Sequence, residues 1–210
     1  MSNKPIFVSR NKQFTPELRA FYLTLGDPKF YNETDKEGSY SVTLSLDPSD
    51  PDHQQWMSQM EDCGEQLYQE WCDAAGKKKV QRRDPIIPFK PEEDREGNET
   101  GNVLVKLNRK AKKVKGDRVW TYDVPVFDTQ NNRVPVEKIR QLGRGSKMIA
   151  SFDARAYYMS GIFGVSFGLR AVQLIEPVWR EGDVGSDFAG SSSEGFVLDD
   201  AELSASDFGE

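Results

Sequence analysis

Six lysines or arginines fall within ten residues, Lys106, Arg109, Lys110, Lys112, Lys113 and Lys115, and Arg118, Trp120 and Tyr122 follow at once. Cations interleaved with aromatic rings supply what a single-stranded nucleic acid needs. They neutralise phosphates and offer faces on which bases stack, at roughly 1–3 kcal/mol per base. Arg82 and Arg83, in the charged stretch upstream, extend the same candidate set. Tyr157 and Tyr158 follow Arg155 in DARAYYMSGIF, which reads as an exposed turn, and each fits a base-stacking position or a place in the core or its rim. Phe21, Tyr22, Phe30 and Tyr31 are equally ambiguous. The bland alternative for the basic run is a solvated hairpin whose lysines only confer solubility.

Residues suited to catalysis are sparse. A single histidine, His53, cannot build a His-rich metal site and reads as an exposed first-turn helix residue. Cys63 and Cys72 lack a Cys-x-x-Cys spacing, and nine residues of helix would separate them by well over the reach of a disulfide. They read as reduced thiols of a cytoplasmic protein. Gly143 and Gly145 in LGRGSKMIASF superficially resemble a phosphate loop, but without its Lys-Ser/Thr pattern they read as a turn into a strand. A non-enzymatic protein with no cofactor or metal is the expectation. No stretch approaches 18 apolar residues, so no membrane span is expected.

Charge divides the chain unevenly. Residues 181–210 carry nine Asp or Glu and no Lys or Arg, whereas 76–120 hold 14 basic residues against seven acids. The formal net charge of -6 therefore conceals a body, residues 1–180, with 28 basic and 25 acidic side chains and a charge of about +3. The acidic, Gly/Ser-rich segment has too few apolar residues to offset the entropy of ordering it and reads as a disordered tail. Asp199, Asp200 and Glu202 within it read as charge, because magnesium demands a fixed geometry. A basic domain with an anionic tail is the pattern of a nucleic-acid binder carrying its own competitor.

The elements that must position these residues show in the periodicity. Tyr40, Val42, Leu44 and Leu46 alternate with Ser41, Thr43 and Ser45, the pattern of a half-buried strand. Trp56, Met60, Cys63, Leu67 and Trp71 then recur at helical spacing, which predicts a helix over about 50–75 with Asp50 as N-cap, Pro51 at its first position and Gly76 at its end. Residues 77–101 read as a long irregular connection with an apolar contact at Ile86, Ile87 and Phe89. Strand signals over 103–107 and 119–127, joined by the basic turn, predict a hairpin over about 103–127 with a charged tip. Strands are also expected over 147–152 and 164–176, with Phe152, Phe163 and Phe167 pointing inward. This is a mainly β chain, a small antiparallel barrel or sandwich with one interrupting helix.

The order SYSVTLSLDPSDPDHQQWMSQMEDCGEQLYQEW, VLVKLNRK, DTQNNRVP, GRGSKMIASFDARAYY and GVSFGLRAVQLIEP, followed by an acidic tail, resembles the replicative single-stranded DNA-binding proteins of podovirus-type phages. The resemblance implies an oligonucleotide/oligosaccharide-binding (OB) fold, a five-stranded antiparallel barrel with the helix of about 50–75 inserted, occupying residues 1–180 before the tail of 181–210. It implies sequence-independent binding of single-stranded DNA and strand annealing in phage replication, recombination and repair, within the host cytoplasm. The family's basic, aromatic groove would map to the hairpin lysines, Lys147 and Tyr157. The tail would compete for that groove and recruit phage DNA polymerase and helicase-primase, with Asp199, Asp200, Glu202, Asp207 and Phe208 as candidate contacts, and a homodimer could form by tail exchange. The family tail usually ends in an aromatic, whereas Gly209 and Glu210 follow Phe208 here. Two other readings stand beside this one: a non-catalytic interaction module whose acidic tail recruits a basic partner, and a nuclease, which would need grouped carboxylates in the body.

Overall fold

The computed structural model describes residues 8–180. In chain order the elements are β1 (Ser9–Phe14), β2 (Leu18–Lys29), β3 (Ser39–Leu46), α1 (Pro51–Ala75), β4 (Gln81–Arg82), β5 (Lys90–Glu93) and β6 (Glu99–Lys110). They continue with β7 (Lys112–Lys115), β8 (Arg118–Thr121), β9 (Val126–Phe127), α2 (Val136–Arg140), β10 (Lys147–Met159) and β11 (Ile162–Glu176).

Five of these strands pair in a cycle. β2 lies against β3, β3 against β6, β6 against β11, β11 against β10, and β10 returns to β2 through Lys147↔Arg19 and Met148↔Leu18. This is the strand order of an OB barrel, with β2, β3, β6, β10 and β11 as its first to fifth strands. The expected fold class therefore holds, with one difference: β6 and β11 are parallel, matching Phe167 to Leu107 and Gly168 to Asn108. Parallel neighbours need a long crossover, and the chain between β6 and β11 supplies one.

Inward residues of the barrel strands form the core, including Val42, Leu44, Leu107, Phe152, Phe163 and Phe167. α1 packs its apolar stripe on them. Trp56 sits 6.1 Å from the Phe152 ring and 6.5 Å from Phe167, while Tyr68 and Trp71 flank Phe163. The helix starts and stops as its caps dictate. The Asp50 carboxylate accepts from the Asp52 and His53 amides, Pro51 opens the first turn, and Gly76 closes the last at φ 63°. Gly64 allows close approach, since a Cβ there would lie 2.8 Å from Ile86 and 2.9 Å from Ile87. The apolar contact inside the long connection is thus the one that seats α1.

Three expectations need correction. The hairpin of about 103–127 is instead a small local one, β7 against β8, joined at Gly116–Asp117. β6 has no free edge for 119–127, because β3 takes one edge and β5 and β11 take the other. The connection 77–101 contains β4 and β5, paired with β11 and β6. Tyr157 and Tyr158 lie in β10, not in a turn; the turn is Ser160–Gly161, both at positive φ as a tight two-residue hairpin requires. No helix among the described residues is long and apolar enough to cross a membrane. The acidic-tail expectations lie outside the described residues.

Candidate nucleic-acid interface

Period-two alternation decides which side chains leave the barrel. On β6, Val105 and Leu107 point inward, so Lys106, Asn108 and Lys110 point out. On β10 the outward set is Asp153, Arg155 and Tyr157, and on β11 it is Gly164, Ser166, Gly168 and Arg170, opposed in register as Asp153↔Gly168, Arg155↔Ser166 and Tyr157↔Gly164. Both glycines matter. A Cβ at Gly168 would lie 2.7 Å from Arg155 Cζ, and one at Gly164 would lie 2.5 Å from the Tyr157 ring. Their bare backbone lets the guanidinium and the phenol lie flat across β11. Arg83, just past β4, places its guanidinium 5.8 Å from the Tyr157 ring centroid.

The β2–β3 loop approaches from the other side. Asp35 organises it by accepting from the amides of Tyr31, Glu37 and Gly38, and these hydrogen bonds, that from Tyr31 foremost, hold its carboxyl below the ordinary range. Gly38, at φ 60°, leaves room for the Phe30 ring, which a Cβ would meet at 2.9 Å. Lys112 Nζ lies 5.8 Å from that ring. The Tyr31 side chain is exposed, and its hydroxyl accepts from Lys106 Nζ at 3.4 Å; this hydrogen bond is the main cause of a phenol shifted below its usual value.

The β7–β8 hairpin forms the third wall. Lys113 opposes Trp120 and Lys115 opposes Arg118, and every β8 residue is exposed. Tyr122 follows, with Arg109 Cζ 5.2 Å from its ring, in the range of a cation–π contact. Between these walls lies a cleft of about 690 Å³, lined by Arg109, Lys110, Lys112, Lys113 and Tyr122 on one side and Arg155 and Arg170 on the other. Six cations face two carboxylates there, Glu37 and Asp153, and Lys110 pairs with Glu37 at 3.2 Å.

Of the sequence candidates, Arg109, Lys110, Lys112, Lys113 and Tyr122 line the cleft. Lys106, Trp120 and Tyr157 lie on the elements around it and Arg83 just past β4, without lining it, and four others are placed elsewhere. Lys147 starts β10, eight residues from Arg155 and roughly 26 Å away at about 3.3 Å per residue. Its ammonium is held by Glu17 at 2.7 Å, which raises its pKa, and it borders a separate cleft with Asp47, Asp50 and Asp52. Tyr158 follows Tyr157 and so points to the opposite side of β10, its ring 4.5 Å from Trp71 of α1. Arg82 alternates with Arg83 in the same way, pairing with Glu65 and covering Tyr68. Lys115 lies at the far end of the β7–β8 hairpin. Asp199, Asp200, Glu202, Asp207 and Phe208 lie outside the described residues. Arg155 and Arg170 were missed as candidates, although reading strand alternation through DARAY would have set Arg155 beside Tyr157.

In OB barrels the face of the second and third strands, with the first-to-second and fourth-to-fifth loops, binds oligonucleotides. Here that is the β3–β6 face, the Phe30–Tyr31 loop and the β10–β11 tip. A family model described as the single-stranded DNA-binding protein of bacteriophage T7 matches residues 19–176. Solved structures agree on the fold. The gp2.5 single-stranded DNA-binding protein of bacteriophage T7 aligns at 20% identity and TM-score 0.59, covering 92% of this chain and all of that one. The single-stranded DNA-binding protein of bacteriophage Enc34, in complex with single-stranded DNA, aligns at 13% identity and TM-score 0.56, covering 80% of this chain and 88% of the other. No curated protein sequence matches the chain.

Proposed function

Since the chain belongs to the family of the bacteriophage T7 single-stranded DNA-binding protein, we propose that its single strand lies in the cleft between the β7–β8 hairpin, the β2–β3 loop and the outer face of β10 and β11. The observation that carries this reading is the convergence of six cations with Tyr122 in one concave site. Lys110, Lys112, Lys113, Arg109, Arg155 and Arg170 neutralise phosphates, and each contact releases condensed counterions. Tyr122, Trp120, Tyr157, Phe30 and Tyr31 offer ring faces, which accept any base. Binding by charge and stacking is indifferent to sequence, because neither reads a base edge.

The sequence extends the proposal beyond the cleft. The acidic segment 181–210 competes for the cleft as a tethered polyanion and recruits the phage DNA polymerase and helicase-primase through Asp199, Asp200, Glu202, Asp207 and Phe208. Coating and annealing of single strands in replication, recombination and repair, and a homodimer through tail exchange, belong to the same reading. Fluorescence anisotropy of a labelled oligothymidine across a salt series tests the cleft. Replacing Lys110, Lys112 and Lys113 together by Ala is expected to weaken binding alike for mixed and homopolymeric strands. It is also expected to lower the slope of log K against log salt by roughly 0.7 for each phosphate that is no longer neutralised. Unchanged affinity and slope would move the binding surface elsewhere.

A further inference from the structure

Asp153 is the one carboxylate among the described residues that is both buried and aimed into the basic cleft. Its side chain is 8% exposed, and both of its oxygens are occupied. Oδ2 accepts from Arg155 Nη2 at 2.8 Å, while Oδ1 accepts from Arg170 Nη1 at 3.1 Å and from the Lys12 amide at 3.2 Å. The two arginines themselves remain 56% and 40% exposed. Lys12 presents its amide from a left-handed backbone, φ 56°, where β1 slips register against β10. That conformation is uncommon for a residue with a side chain, and here it helps hold a carboxylate inside a site for anions.

A negative charge there opposes a polyanion, so its presence needs a reason. Each guanidinium carries five N–H donors and spends one on Asp153, leaving its remaining donors free to turn toward the cleft. We infer that Asp153 is a positioning residue that sets Arg155 and Arg170 as a paired fork for one backbone phosphodiester of the bound strand. Gly168 completes the arrangement, because its bare Cα is the surface on which the Arg155 guanidinium rests. Arginine suits such a site where lysine does not, since only a planar fork matches phosphate oxygens in pairs. The inference rests on the single-strand reading of the cleft.

The test sets charge against position. Asp153→Asn removes an anion from the cleft, so simple electrostatics predicts tighter binding of labelled oligothymidine. Positioning predicts the reverse: about tenfold weaker binding, equivalent to about 1.4 kcal/mol, and a shallower salt slope despite the more positive cleft. In parallel, Arg155→Lys with Arg170→Lys keeps the charge and discards the fork. It is expected to lose affinity to a similar extent, and adding Asp153→Asn to it is expected to cause no further loss. Tighter or unchanged binding by a folded Asp153→Asn chain overturns the inference. So does wild-type binding by the double lysine variant, which decides the matter even if the asparagine variant does not fold. Failure of the wild-type chain to bind the strand at all overturns the cleft reading instead.

Discussion

Gly164 and Gly168 carry no side chain, yet they set where the Tyr157 and Arg155 side chains of the proposed interface lie. Adding a methyl group at Gly164 puts it within 2.5 Å of the Tyr157 ring, the far end of a flexible side chain. The ring yields before the backbone does, so Gly164→Ala is expected to spare the fold and cost a stacking surface. Single-strand affinity should fall by roughly 1–3 kcal/mol, as for Tyr157→Ala, with little change in melting temperature. Anisotropy titration paired with thermal melting checks this, and normal affinity for Gly164→Ala would remove Tyr157 from the site. Asp153 makes a separate prediction about acid. Burial alone would raise its carboxyl, but the hydrogen bonds from Arg155, the Lys12 amide and Arg170 together leave it below its ordinary value. A carboxyl depressed in the folded state stabilises fully above its unfolded value of about 3.9, and the contribution is lost as pH falls through the lower folded value. Asp27, Asp35, Asp94 and Asp128 are depressed in the same direction by their own hydrogen-bond donors. Urea midpoints are therefore expected to hold from neutrality to about pH 5 and to drop below about pH 4, and the drop should be smaller for Asp153→Asn.

Among the elements, the β7–β8 hairpin buries almost none of its own side chains. β8 is exposed throughout and β7 nearly so, and Lys113, Lys115, Arg118 and Trp120 face solvent or the cleft. Its ends already meet, since the Tyr122 amide donates to the Ala111 carbonyl at 2.8 Å. Replacing 112–121 by two glycines is expected to shift the melting temperature by no more than about 2–4 °C and to weaken single-strand binding at least tenfold; a collapse of the fold would refute this independence. The charge of the hairpin was legible in the sequence, but its partner was not. Residues 103–107 and 119–127 both look like strands, and only the pairings show that they are not partners: β6 lies against β3, β8 against β7 in a second sheet, and β9 against β11. α1 was legible to the residue, because Asp50, Pro51 and Gly76 are local signals that need no distant partner. β1 and β2 went unread: RNKQF is polar, and in β2 the Gly-Asp-Pro of residues 26–28 carries turn signals at the place where its register against β3 breaks, between Thr24↔Ser41 and Lys29↔Ser39. The same limit explains the site. Lys110 and Lys112 announce themselves by clustering, whereas Arg170 lies some 60 residues away and joins them only because β11 runs parallel to β6.

At the scale of the whole molecule, the formal charge of -6 is the sum of a body near +3 and a segment, 181–210, carrying nine acids. If that segment occupies the cleft, a DNA strand does not enter empty space but replaces one polyanion with another. The consequence is specific to salt. Counterions that the cleft would release on meeting DNA have already been released to the tethered carboxylates, so the full chain should show a shallower slope of log K against log salt than residues 1–180 alone. Tethering keeps the carboxylates at high effective concentration however dilute the protein, so the difference should not depend on protein concentration. Screening works against it, because the Debye length shrinks from about 10 Å at 0.1 M salt to about 3 Å at 1 M. Removing 181–210 is therefore expected to tighten oligothymidine binding most at low salt, to steepen the salt slope, and to bring the two curves together as salt rises. Parallel curves would mean that the segment acts on binding by something other than charge, since any electrostatic effect fades as salt rises. Weaker binding by residues 1–180 would mean that the acidic segment supports folding or assembly of the domain instead of competing for its cleft.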